Sequence, residues 1–292
     1  MKRSLLPILV AVFSGVFGCA APRAVIWDGT SMERGHVQGH LGMVGNVPTA
    51  TLGALGSAQM DAVERAAAEY KNSDSLNDRE MYLSGTRSLV AASLDMPGMN
   101  TVASVHLGLG WGLEAGYRRE GGVNAWSLRW QFLSAKSSGW NAGTGIQYSS
   151  SEYELPSALG DLQSVLGYKF ERKDIQVPVV FSRPFGDDGE YGSGGFGLVG
   201  AWTSSKYGFD PEGLYRRWGD TVAVLERLPD QESSFFSYGA VGFVRFGYKH
   251  VWCMTGITVL YQDYGSYKVP SRDPVELSGF AILPSIGLEF RI

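Results

Sequence analysis

Residues 105–118 read V-H-L-G-L-G-W-G-L-E-A-G-Y-R, and this stretch decides the fold class. Its odd-numbered positions carry apolar side chains, and its even-numbered positions carry glycine or polar side chains. Successive side chains of a β-strand point to opposite faces of the sheet, so the alternation predicts a strand with one apolar face. The alternation recurs at 126–132, 140–149 and 280–292, and more weakly at 236–248.

Composition excludes several other classes of protein. Glycine accounts for 39 of the 292 residues, nearly twice the usual ~7%, and charged residues make up 18% against the usual ~25%. This argues against a disordered chain or a coiled coil. After the first twenty residues no apolar run is long enough for a membrane-spanning helix. The net charge of −4 favours no interaction with nucleic acid.

The two strand faces differ in a way that favours a membrane protein. The apolar faces carry Trp, Tyr and Phe near the strand ends, and the opposite faces carry glycine, small residues and isolated charges. Aromatic girdles of this kind border the apolar band of membrane barrels. The strands must then close into a ring, because an edge exposed to lipid would leave backbone groups unpaired. We expect an all-β protein, a closed antiparallel transmembrane β-barrel; a lipid-anchored soluble β-sandwich is the alternative.

The strand count is about ten, with eight and twelve left open. The candidate strands are 79–94, 101–118, 124–134, 140–150, 164–171, 174–183, 194–206, 234–248, 251–264 and 278–292. If 164–183 is one strand, the count becomes odd, and another strand must come from 35–45 or one candidate must be a loop. Long connections are expected at 151–163, 207–233 and 265–277, the first of them on the periplasmic side.

The N-terminal residues 1–18 have the features of an export signal, with Lys2, Arg3 and an apolar stretch from residue 5 to 17. The sequence V-F-G-C at 16–19 resembles the lipobox of bacterial lipoproteins, although Phe17 departs from the usual residue there. The resemblance implies cleavage before Cys19 and its acylation with fatty acids such as palmitate. Ala20 after the cysteine implies sorting to the outer membrane of a Gram-negative bacterium. Lipoprotein-processing enzymes would then be partners.

The last strand carries a second resemblance. Its final residues, S-I-G-L-E-F-R-I, are similar to the C-terminal signal by which the insertion machinery recognises outer-membrane barrels. Gly287, Phe290 and Ile292 occupy the positions of that signal, with Ile where an aromatic residue is commoner. The resemblance spans about 79–292. It leaves 19–78 as a lipidated periplasmic segment, in which Ala-rich spacing predicts a short helix at 57–70 that covers the barrel mouth.

Catalytic and metal-binding patterns are weak. Ser104, His106 and Glu114 share the polar face of one predicted strand, which would suit a nucleophile with its base. Outer-membrane phospholipases carry a His and a Ser two residues apart, but in the order His-x-Ser and facing lipid. We therefore expect no enzyme. The four histidines are scattered, and no metal site or cofactor is predicted.

The predicted lumen contains charges of both signs, namely Glu114, Arg118, Arg129, Arg245, Glu289 and Arg291. In a barrel of about ten strands side chains largely fill the interior, so we expect ion pairs across a narrow or occluded lumen. The sequence thus predicts an envelope scaffold or surface-interaction protein in contact with outer-membrane lipid. A small-solute channel and a lipid-modifying enzyme are the alternatives. The surface ligand is not identified by the sequence.

Overall fold

Ten antiparallel strands form a closed barrel in the computed structural model, which describes residues 21–54, 90–152, 167–186, 189–210, 228–269 and 272–292. The strands are β1 Val37–Pro48, β2 Gly98–Gly110, β3 Leu113–Glu120, β4 Val123–Leu133, β5 Asn141–Glu152, β6 Lys169–Phe185, β7 Gly192–Phe209, β8 Leu228–Tyr248, β9 Val251–Val269 and β10 Arg272–Arg291. Two short helices are α1 Thr49–Ala54 and α2 Ala135–Ser138, and residues 90–94 are also helical.

Neighbouring strands follow chain order around the ring, and β1 pairs with β10 to close it. Gln38 lies opposite Arg291 and Gly39 opposite Phe290 at this closure. The closed ring leaves no edge strand unpaired and excludes a two-sheet sandwich for the described part of the chain.

The alternation of the sequence appears directly as two faces of the wall. Many large apolar side chains are exposed on the outer face, among them Val105, Leu107, Trp126, Leu128, Trp130, Trp202, Phe236, Tyr238, Ile257, Phe280, Ile286 and Leu288. Polar side chains are buried on the inner face, among them His106, Glu114, Arg118, Arg129, Arg172, Asp174, Arg245 and Glu289. An apolar exterior around a polar interior is the reverse of the distribution in a soluble protein.

Four of the predicted strands differ from the observed ones. Residues 101–118 form a hairpin, with the turn at Trp111 and Gly112 between β2 and β3. The alternation of side chains continues through the turn because odd-numbered residues of β2 pair with odd-numbered residues of β3, as Val105 does with Tyr117. Residues 169–183 belong to one strand, β6, so the predicted split between 171 and 174 was wrong. Residues 90–94 of the candidate 79–94 are helical; 79–89 lie outside the described residues.

The strand that completes the set of ten is β1, which lies within the range 19–78 that was predicted to precede the barrel. The barrel therefore begins at Val37 instead of residue 79. Short apolar runs such as 90–94 do not distinguish a buried helix from a strand, which explains that error. The predicted helix at 57–70 lies outside the described residues.

The barrel has two rims of different character. The chain-end rim, as we call it, holds Val37, Ile292 and the turns at 111–112, 134–140, 186–191 and 249–250. The loop rim holds the connections 49–97, 121–122, 153–168, 210–227 and 270–271. The strand ends that flank 153–168 thus lie at the same rim as those that flank 210–227 and 270–271, so the prediction that the connection after β5 lies on the opposite side from those after β7 and β9 was wrong. Two of the expected loops are shorter than predicted, because 207–209, 228–233, 265–269 and 272–277 belong to strands.

The strands differ greatly in length around the ring. β3 has 8 residues and β4 has 11, whereas β6 to β10 have between 17 and 21. Connections at the chain-end rim are short, so most of the additional length lies at the loop rim. A wall of five long strands therefore stands higher than the β3–β4 hairpin on that side.

Candidate functional site

Residues 21–34, which we call the lumen segment, lie inside the barrel and fill it. Ala24, Val25, Ile26 and Trp27 pack against inward-facing apolar side chains of the wall, including Val180, Phe243 and Leu260. Trp27 is 1% exposed. Its ring lies against Gly143, where an added Cβ would be 2.5 Å from the ring. Residues 24–27 of the segment predicted to be periplasmic therefore lie in the centre of the barrel core.

Side chains of the wall satisfy the backbone of the lumen segment, which has no regular secondary structure. Gln176 Nε2 donates to the Arg23 carbonyl at 2.6 Å, and Arg118 Nη1 donates to the Ala24 carbonyl at 2.7 Å. The Val25 amide donates to Thr258 Oγ1 at 3.0 Å. Buried backbone groups need such partners, so these polar wall residues are matched to this segment.

Asp28 is the main electrostatic anchor of the lumen segment. Its carboxylate lies 2.9 Å from Arg245 Nη1 and 3.5 Å from Arg291 Nη2, and it accepts hydrogen bonds from Thr30 and from Ser193 Oγ. Burial would raise the pKa of Asp28, which lies outside the strands, but Arg245, Arg291 and Thr30 together lower it to about 2. The group is therefore an anion held by two cations of the wall.

Glu289 completes this cluster from β10. Its Oε1 is 2.8 Å from Arg245 Nη1 and 2.8 Å from Arg291 Nε. Two guanidinium groups and two carboxylates thus form a balanced network in which each cation contacts both anions. We call these four residues the Asp28 cluster. One member comes from the lumen segment and three come from the wall.

A second buried cluster connects Ser104, His106 and Glu114. His106 Nε2 is 3.2 Å from Ser104 Oγ, and His106 Nδ1 is 3.4 Å from Glu114 Oε1. Arg129 Nη1 also contacts Glu114 Oε1 at 3.2 Å, and the Met32 amide donates to Glu114 Oε2 at 3.3 Å. The three weak catalytic candidates are therefore in contact, while the carboxylate also holds Arg129 and the lumen segment.

Residues 90–96 enter the barrel from the loop rim. Val90, Ala91 and Leu94 are fully buried, and Asp95 forms an ion pair with Arg23 of the lumen segment. Tyr264 Oη donates to the other oxygen of Asp95 at 2.7 Å. On the wall nearby, Arg172 Nη2 contacts Asp174 at 2.8 Å. The lumen is thus filled by two segments that meet at the contact between Arg23 and Asp95.

The six predicted lumen charges all lie on the inner face, but their pairs do not cross the lumen. Arg129 pairs with Glu114 on the adjacent strand, and Arg118 pairs with Glu120 on its own strand. The lumen segment occupies the centre, so charges of the wall pair with neighbours or with this segment. The expectation of pairs across the lumen was wrong for this reason.

The remaining predicted site residues have other positions. Phe290 is half-buried, Gly287 lies on the inner face beside His40, and Ile292 is 85% exposed at the chain-end rim. Cys19 lies outside the described residues. Sequence reasoning missed Arg23, Trp27 and Asp28, because an extended segment inside a barrel has no periodicity; a charged pair within an otherwise apolar stretch was the available signal.

Neither a helical span nor a metal centre is found in the part of the chain that the structure describes. None of its helices is both long and apolar enough to cross a membrane. No three His, Cys, Asp or Glu side chains among those residues are grouped so that they could hold a metal ion.

Comparison with known proteins gives distant structural similarity. No protein-family model and no curated protein matches the sequence. Ail, the attachment invasion locus protein of Yersinia pestis, is similar with a TM-score of 0.33 and 10% identity, over 89% of this chain and 100% of that chain. Neisserial surface protein A gives 0.30 and 10%, over 87% and 95%. The N-terminal barrel domain of Pseudomonas aeruginosa OprF gives 0.22 and 6%, over 89% and 100%. The architecture described above rests on this chain's own strand pairing.

Proposed function

We propose that the protein is an outer-membrane barrel lipoprotein with an occluded lumen that acts as an envelope scaffold or surface-interaction protein. The observation that carries the proposal is the filling of the lumen by residues 21–34 and 90–96. A barrel whose interior is packed with its own chain offers no open aqueous path, in contrast to the water-filled interior of porins.

The exposed apolar exterior supports insertion in a membrane. Its aromatic residues include Trp126, Trp130, Trp202, Phe236 and Tyr238, each about half exposed or more. Barrels of the bacterial outer membrane have short periplasmic turns and longer external loops. By that rule the chain-end rim faces the periplasm and the loop rim faces the cell exterior.

The high wall at the loop rim is the surface that would meet an external partner. A membrane-spanning strand needs about 9–11 residues, and β8 has 21. Strands β6 to β10 therefore extend well beyond the hydrocarbon layer on the external side. The partner of this wall is not defined by its chemistry.

Acylation of Cys19 is part of the proposal, and the position of Ala21 limits where the lipid could lie. Ala21 is buried in the lumen, and two residues span at most about 7 Å. Arg23 contacts Asp95 and residue 31 contacts Gln131 near the chain-end rim, so the segment runs from the loop side towards the chain-end rim. A lipid on Cys19 would leave the barrel at the loop rim, on the external side in this orientation.

Four measurements test the proposal. Folded protein should migrate differently from boiled protein on gels, and mass spectrometry should find an acylated Cys19 at the mature N-terminus. Planar bilayers should show no stepwise conductance, and protease added to intact cells should cleave within 210–227. Regular conductance steps from the unmodified chain would replace the scaffold with the small-solute channel.

The contact of Ser104, His106 and Glu114 favours a second candidate, a lipid-modifying enzyme. His106 lies between Ser104 and Glu114, which is the arrangement of a nucleophile, its base and a carboxylate that orients the base. Hydrolysis of phospholipid vesicles by the purified barrel, lost in Ser104→Ala but kept in Ser149→Ala, would establish this activity. Ser149 is a matched control because it is also a serine of the inner face, with its side chain buried. We expect neither variant to differ from the parent chain, because Glu114 is engaged by Arg129.

A further inference from the structure

A cavity of about 890 Å³ opens at the chain-end rim. Its lining includes the end of the lumen segment, the turn at Trp111 and the inner-face residues Arg245, Trp252 and Arg291. Small-molecule sites commonly have volumes of ~300–1,000 Å³. The cavity therefore has the size of a ligand site, and residues 30–34 of the lumen segment form part of its lining.

Two buried donors on side chains that line this cavity have no acceptor among the described residues. They are Arg245 Nε and Trp252 Nε1, on side chains that are 3% and 5% exposed. Arg245 uses Nη1 for Asp28 and Glu289, which leaves Nε unused. A buried donor without an acceptor is unfavourable, so two of them beside one cavity indicate an acceptor supplied from the cavity.

The donors are held firmly in place. The guanidinium carbons of Arg245 and Arg291 lie 5.1 Å and 5.4 Å from the centre of the Trp252 ring. Cation–π contacts of this kind fix the indole between charged groups that are themselves held by the Asp28 cluster. The site is therefore preorganised, which reduces the entropy lost on binding.

The charge around the cavity favours an anion. Its lining includes Arg34, Lys136 and Lys249, which are exposed, together with the two arginines of the floor. Glu33 and Glu190 are the acidic residues of the same lining. Arg245 and Arg291 are balanced by Asp28 and Glu289, so among the described residues of the lining the excess of positive charge comes from Arg34, Lys136 and Lys249 against Glu33 and Glu190. A concave surface lined with one sign of charge concentrates ligands of the opposite sign.

We infer that this cavity binds a small carboxylate-bearing ligand, with one carboxylate oxygen accepting from Trp252 Nε1 and Arg245 Nε and further carboxylates meeting the lysines of the rim. Ligands with several carboxylates would bind more tightly than those with one. In the proposed orientation, in which the chain-end rim faces the periplasm, such a ligand would be periplasmic. The binding itself does not depend on that orientation.

Calorimetric titration of the full chain, folded in detergent, with citrate tests this inference. We expect saturable binding of citrate, weaker binding of sulfate and none of sorbitol, which is a neutral polyol. Trp252→Phe keeps an aromatic ring but removes the indole donor, and it should weaken citrate binding about tenfold to a hundredfold, as expected for a lost hydrogen bond to a charged group.

Matched variants separate the site from general attraction of anions. Lys136→Gln with Lys249→Gln should weaken citrate binding severalfold at low salt, whereas Lys206→Gln should leave it unchanged. Lys206 is a suitable control because it is also exposed but pairs with Asp230 near the loop rim. The heat-dependent gel shift of each variant shows that it is folded, independently of any ligand.

Two outcomes would overturn the inference. One is the absence of saturable citrate binding to a chain that shows the gel shift, a result that leaves the proposed barrel function intact. The other is citrate binding that Trp252→Phe does not weaken, since the unpaired indole would then be a feature of packing or of bound water only.

Discussion

Asp28 should control whether the lumen segment stays inside the barrel. Asp28→Asn keeps the shape and the acceptor for Thr30 but removes the charge that faces Arg245 and Arg291. Removal of one partner from a buried ion pair costs about 3–5 kcal/mol. Both arginines keep Glu289, so we take the lower figure, about 3 kcal/mol. At 1.4 kcal/mol per factor of ten, the population with a displaced segment rises about a hundredfold.

Thiol accessibility measures this population. Ala24 is 1% exposed, so Ala24→Cys places a thiol that reacts with a polar maleimide only when the segment leaves. Cys19→Ser and Cys253→Ser remove the native thiols. The labelling rate should rise about a hundredfold with Asp28→Asn and not with Asp230→Asn, whose carboxylate is exposed in its contact with Lys206. Equal labelling rates in the two variants would refute the assignment of Asp28 as the anchor.

Three further predictions concern the wall. Gly116→Ala would place a Cβ 1.9 Å from His106 Nδ1, so it should lower stability to urea in vesicles, and His106→Ala added to it should restore most of the loss. A fully destabilised double variant would contradict this packing. Leu128→Arg, on the exposed outer face, should reduce the stability of the folded barrel in a bilayer by about 2–4 kcal/mol, as measured by reversible folding into vesicles. Ser150→Arg, near a strand end, should reduce it by only about 0–1 kcal/mol. Equal losses of stability would mean that Leu128 does not face hydrocarbon. Glu114→Gln should cost about 3–5 kcal/mol because Arg129 is left unpaired, whereas Glu114→Leu with Arg129→Met should recover stability in the same assay.

Much of the barrel was predictable because one rule, the alternation of side chains, applies to every residue of its wall. The inward direction of His106, Glu114 and Arg129 follows from that rule alone. The rule does not show where a strand turns, since the hairpin at 111–112 preserves the parity of the pattern. It offered β1 only as the alternative strand at 35–45, because three glycines within seven residues, at 39, 42 and 45, weaken the alternation there.

The site was only partly predictable for a related reason. The contact between Ser104, His106 and Glu114 could be expected because the residues share one face, and the hairpin then brings Glu114 back opposite Gly108. The role of Asp28 could not be expected. Its partners Arg245 and Arg291 lie more than 200 positions away in the chain, and the local signal, a charged pair within an apolar stretch, does not identify those partners.

The closure between β1 and β10 has a consequence for the order of folding. It joins residues as distant as Gln38 and Arg291, so it carries the largest loop-closure entropy of any strand pair and should form last. Residues 21–34 are continuous with β1, and while the ring is open they can be laid against the inner wall from the side. Once the ring has closed, the same residues must be threaded in end-on. A barrel that closes early is therefore a long-lived empty state, and refolding should yield a slowly converting fraction with the segment outside.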